Sequence, residues 1–294
     1  MKRLCCLFLL VACQSEQGIK ELRYENIAVV NGDFDNMKEV LTRLDIAATE
    51  FEGFISQPVY GTPEDGEQSV LQAEGLFQGR DEAERTVMLE YDAIFVNSGV
   101  RGLGDYVYNG VDSDDDFVAD PVAVENIRQY ISNGRTMVIS DWAGDLIEAT
   151  WPDKIEFVNE SNCDEEPCWD ASQVGVGLNE ATGYAVVNGS AHEELVNQLG
   201  SEQLVIDFDF SHWTVIKSVA DDVDVYLSAD IEYRISGAEG YGTMDDVPLL
   251  VGFDSDRGRV VFSAFHWYTQ NPALANQLML YVAEGLNPGP NAEL

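Results

Sequence analysis

Apolar positions along this chain fall into two alternating rhythms. Short unbroken apolar runs end on polar pairs, as in "NIAVVNGD" (26–33), "YDAIFVNSG" (91–99) and "RTMVIS" (135–140). A run of that length bounded by turn residues predicts a strand buried on both faces. Between them lie stretches whose apolar residues recur every three or four positions. "NMKEVLTRLD" (36–45) puts Met37, Val40, Leu41 and Leu44 on one helical face. "PVAVENIRQYISNG" (121–134) opens on Pro and closes on Gly, the usual polarity of helix ends. "IAATEFEG" reads as a weaker second strand, "AGDLIEATWP" as a helix after "RTMVIS", and residues 56–82, rich in Gly, Gln, Glu and Pro, as a loop. Further on, "GYAVVN", "QLVIDFDF", "WTVIKSV" and "VDVYLSADIEYR" are strand-like, and 191–200 and 272–286 are helical. Residues 247–266 predict a hairpin around Asp254–Gly258.

Strands alternating with helices in this way imply right-handed βαβ units. The expected fold is α/β: a three-layer sandwich with a mostly parallel, flavodoxin-like central sheet and a C-terminal antiparallel hairpin. No internal repeat or interior linker interrupts the pattern. One domain over 26–288 is expected, with a short tail at 289–294.

The first residues change the picture. "MKRLCCLFLLVACQSEQ" has a basic start, a short apolar run and Leu10-Val11-Ala12-Cys13. The run is too short to span a bilayer. It resembles a bacterial lipoprotein signal, which implies a signal peptide over 1–12 and palmitate-type acylation at Cys13. The protein would then meet the lipid membrane through that residue. Gln14 after the cysteine points to the outer membrane of a Gram-negative cell envelope, and 13–25 read as a polar tether. In that oxidising setting Cys163 and Cys168, close together in "NESNCDEEPCWDAS", predict a disulfide; zinc would need further ligands that are not nearby. Charge adds one exclusion. With 16 basic against 53 acidic residues and a net of −37, nucleic acid and anionic membrane surfaces are disfavoured as direct partners.

Placed in order, "YDAIFVNSG", "YISNGRTMVISDWA" and "GRVVFSAFHWYTQNPALANQLMLYVAEG" resemble the class I glutamine amidotransferase-like fold, including its ThuA-like branch. Active members carry a Cys at a sharp strand-to-helix corner, a His that activates it and a Glu that orients the His. Here the corner reads "ISDWAG", without a Cys and with the bulky Trp142. His266 falls where the catalytic His belongs, but His266-Trp267-Tyr268 has no Glu. Gly99 falls in the loop that resembles the oxyanion-binding turn. The resemblance therefore implies a catalytically degenerate domain, acting as a binding or structural module. The alternative is a hydrolase working on a glycan or small molecule through His266 with Ser140 or Asp141. The plainer role of Ser140 and Asp141 is to cap the following helix.

The candidate pocket comprises Ser98, Gly99, Trp142, Trp267 and Tyr268, at strand ends where ligands collect in open α/β sheets. Exposed aromatics there suit an envelope ligand such as a carbohydrate or peptide; burial under long loops is the other reading, and applies equally to Trp151, Trp169 and Trp213. No cofactor is expected. The acidic run at 112–120 leaves calcium open through Asp112, Asp114 and Asp116, although the glycine and closing glutamate of an EF-hand loop are missing.

Overall fold

The computed structural model describes residues 24–32, 34–53, 71–99, 108–109, 118–119, 121–158, 174–175, 184–185, 193–201, 203–208, 212–235 and 242–285. Cys13, Cys163, Cys168, Trp169, Asp112, Asp114 and Asp116 lie outside the described residues, as do the signal and most of the tether.

Seven strands carry the fold: β1 (Ile27–Asn31), β2 (Thr49–Glu52), β3 (Ala93–Val96), β4 (Thr136–Ser140), β5 (Val223–Ile235), β6 (Gly242–Ser255) and β7 (Gly258–Ser263). They lie side by side in the order β5-β6-β7-β4-β3-β1-β2, and two-residue strands at 174–175 and 212–213 extend the sheet beyond β5. From β7 to β2 every pairing is parallel. The pairings of β5 with β6 and β6 with β7 are antiparallel. The expected hairpin is therefore part of a three-stranded antiparallel unit, with its tight turn at Asp256–Arg257 between β6 and β7.

Helices cover both faces. On one, α1 (Met37–Arg43) and α5 (Glu193–Leu199) pack against α6 (Pro272–Gly285); on the other, α3 (Pro121–Ser132) packs between α2 (Ala73–Gln78) and α4 (Asp145–Thr150). This double cover is why β3 and β4 are buried at every position and read as continuous apolar runs. Helix α2 falls inside the stretch expected to be loop. At six residues it is too short to display a helical period, and its burial of Ala73, Leu76 and Phe77 fixes it through packing. No helix among the described residues is long and apolar enough to cross a membrane.

The order β2-β1-β3-β4 has a topological switch beside β1, since the chain leaves β1 to one side for β2 and returns on the other for β3. Strand ends at such a switch are where open α/β sheets gather ligands and functional side chains. Here the two ends approach closely. A Cβ on Gly32 would sit 2.1 Å from the Ser98 carbonyl oxygen. The Phe34 N–H donates to that same carbonyl at 3.2 Å.

Candidate functional site

Four of the parallel strands deliver polar side chains to one place. Past β1 comes Asp35, past β3 Ser98, at the end of β4 Ser140 and Asp141, and past β7 His266. All five are buried. They are polar in an otherwise apolar interior, so their hydrogen bonds decide whether they are tolerated.

Asp141 occupies the corner between β4 and α4, the opening residue of a single 3-10 turn at 141–144. Its φ is +43°, a left-handed backbone that costs a non-glycine residue about 1 to 2 kcal/mol. The carboxylate is 1 % exposed and its oxygens are engaged by three elements. Oδ1 accepts the Thr214 N–H at 2.5 Å. Oδ2 accepts the Ser98 hydroxyl at 3.2 Å and lies 3.1 Å from His266 Nε2, within hydrogen-bond distance. His266 is 4 % exposed. Its carbonyl is fixed by Gln270 Nε2 at 2.8 Å and the Thr269 hydroxyl at 3.2 Å, so the backbone carrying the imidazole is held on its C-terminal side.

Asp35 is a second buried carboxylate of the cluster. It accepts the backbone N–H groups of Trp267 (3.1 Å) and Tyr268 (3.0 Å), and that of Asn36 at 2.8 Å. The Ser140 hydroxyl also donates to it. Burial raises the Asp35 carboxyl above its ordinary value, against the pull of the His266 charge and of these donors. A third acid, Asp145 at the start of α4, is pushed up to about 8 by burial, with the Asp141 charge adding to the effect.

The structure thus brings Asp141 and His266 together and gives Ser140 a different task. Ser140 accepts the Ser98 N–H at 2.9 Å while donating to Asp35. It makes no side-chain cap to the helix that follows, which departs from the capping role expected of it. The reason is competition: Asp35 and the β3 end lie within reach of its hydroxyl and satisfy both functions of it. Asp35 and Thr214 were not singled out from the sequence. The signal for Asp35 was its place in the loop after β1, at the switch; Thr214 contributes only a backbone N–H, which no residue type announces.

Around the cluster the aromatics divide. Trp267 is 0 % exposed, and Trp151 and Trp213 are buried, the last stacked on Phe208 at 4.1 Å between centroids. Trp142 is half-buried, edge-on to Phe34 at 5.3 Å. Among the described residues of that set, Tyr268 is open to solvent, 49 % exposed. Ser98 and Gly99 form a buried turn after β3. Among the described residues no group of three or more His, Cys, Asp or Glu side chains is arranged to hold a metal ion.

No family model and no curated protein matches the sequence. Solved structures do resemble the fold. The mmIFT52 N-terminal domain matches over 92 % of this chain and 99 % of its own, at TM-score 0.48 and 10 % identity. A ThuA-like protein from Bacteroides uniformis matches over 86 % and 88 %, at TM-score 0.41 and 11 % identity. A glutamine amidotransferase from Thermotoga maritima matches over 88 % and 83 %, at TM-score 0.38 and 9 % identity. Likeness at this level concerns the outline of the fold and carries no activity over.

Proposed function

We propose that this chain is a lipid-anchored envelope protein, held by acylated Cys13 and a tether over 13–25, whose amidotransferase-like domain over 26–288 binds a ligand or partner rather than performing amide transfer. One observation carries the non-catalytic part. The corner that would present a thiol holds the Asp141 carboxylate, 1 % exposed and engaged by Thr214, Ser98 and His266. Such a group stitches four strand ends together and is already satisfied. Amide transfer from glutamine needs a thiol nucleophile there, and the corner sequence has none.

A second reading is favoured by the backbone of the same residue. A φ of +43° on Asp141 is the strain that a nucleophile corner stores, and His266 lies at 3.1 Å. A carboxylate so placed is the nucleophile of a hydrolase that forms a covalent ester, with His266 activating the water that cleaves it. The test separates the two. The purified protein is assayed against ester, amide, glycoside and epoxide substrates. The binding reading expects no turnover. Turnover lost in both Asp141→Asn and His266→Ala, with folding intact, would overturn it; label from H₂¹⁸O entering the Asp141 side chain would identify the ester.

The anchor is tested separately. Cys13→Ala should move the protein out of the membrane fraction, and retention there would refute the lipidation. Cys163 and Cys168 should resist alkylation until reduced; alkylation of both without reductant would refute the disulfide.

A further inference from the structure

Arg43 closes α1, and its Nε and Nη2 atoms are enclosed with no hydrogen-bond acceptor among the described residues. Other basic side chains of the fold are engaged. Lys38, Arg135 and Lys154 sit on carboxylates, and Arg128 and Arg257 donate to backbone carbonyls. A chain with 53 acidic residues does not leave an arginine unpaired for want of acids. The two atoms are also a particular pair. Nε–H and one Nη2–H lie along the same edge of the guanidinium, the fork that grips a carboxylate with two parallel bonds. A cation in the last turn complements the helix dipole, but that needs only the charge. It gives no account of two shielded donors left unmet, each of which costs as much as a lost hydrogen bond.

Tyr268 supplies the other half. Its ring faces the Arg43 guanidinium, 5.8 Å from carbon to centroid, and it is 49 % exposed. Its backbone N–H is meanwhile pinned by Asp35 at 3.0 Å, within the polar cluster at the strand ends. The fork atoms are closed to solvent and the ring beside them is half in it, so engaging a ligand requires the ring to turn on its χ angles about a main chain held by Asp35. A half-exposed aromatic over an unmet arginine fork matches a ligand with a flat apolar body and a carboxylate.

We propose that Arg43 and Tyr268 form a binding shelf for a small organic carboxylate, with the Nε/Nη2 fork taking the carboxylate and the Tyr268 ring the apolar body. This rests on the binding reading above and names its ligand class. The test uses the full chain and benzoate as the probe, followed by ligand-observed NMR. Saturable broadening of the benzoate signals is expected, reversed by acetate but not by sodium chloride at equal ionic strength, and absent for the neutral benzamide. Arg43→Lys keeps the charge and the dipole complement but lacks the fork, so it should weaken benzoate by about tenfold or more, as should Arg43→Gln. Tyr268→Ala should weaken benzoate while leaving acetate unchanged. Circular dichroism confirms that each variant is folded. No binding to the wild type, equal binding by Arg43→Lys, or reversal by chloride alone would overturn the proposal. None of these outcomes depends on whether the Asp141 corner is catalytic, which the hydrolysis panel decides by itself.

Discussion

Asp145→Asn isolates the electrostatic cost of the corner. Asp145 is buried at the head of α4, and its carboxyl is pushed up to about 8 from an ordinary 3.8. An acid with a raised folded-state value holds its proton more tightly folded than unfolded. Its contribution to stability is therefore greatest below the unfolded value and is lost as pH climbs to the folded one. The window here runs from about pH 4 to about pH 8. At a little over 1 kcal/mol per pH unit, the loss across it is about 5 kcal/mol, a large part of a typical domain's stability. Asparagine occupies nearly the same volume and cannot ionise. Urea denaturation of both proteins between pH 4 and 9 should give curves that nearly meet at the acid end. They should diverge at the alkaline end, with Asp145→Asn the more stable by several kcal/mol. Comparing the two proteins at each pH removes the groups they share. Equal pH dependence in both, or a variant that is no more stable at pH 9, would refute the idea that an ionised Asp145 is being buried.

Two further expectations concern the strand ends. Asp35→Ala removes the acceptor for the Trp267 and Tyr268 N–H groups and for the Ser140 hydroxyl; it should cost about 3 to 5 kcal/mol, measured by denaturant midpoint, with Asp35→Asn costing less. Gly32→Ala would drive a methyl to within 2.1 Å of the Ser98 carbonyl. Separating β1 from β3 should lower stability by about 2 kcal/mol or more, and thermal unfolding unchanged from wild type would contradict the close approach.

Much of the architecture could be read from sequence because its strands are covered on both faces. Val29, Val30, Ile94, Phe95, Val138 and Ile139 have water on neither side, so their runs are unbroken and obvious. The site was only partly legible. His266 and Asp141 stood out through their places in the resemblance, and the structure puts them 3.1 Å apart. Asp35 did not. "GDFDN" reads as an ordinary polar turn, and what makes its second aspartate matter is that β7 delivers the Trp267 and Tyr268 amides onto it from the other end of the chain. Contacts of that range leave no local period. Ser140 shows the same limit in reverse: the helix cap is a sound local expectation, displaced by two long-range partners that a local window cannot contain.

The strand order also bears on how the protein is made. β4 lies between β3, completed early, and β7, synthesised far later in the chain. A nascent chain that has already assembled β2-β1-β3-β4 would offer the whole unpaired edge of Met137, Val138 and Ile139 until β7 arrives. Such an edge is an invitation to pair with another copy. Folding without aggregation would therefore favour keeping the first half unpaired until the last parallel strand is available.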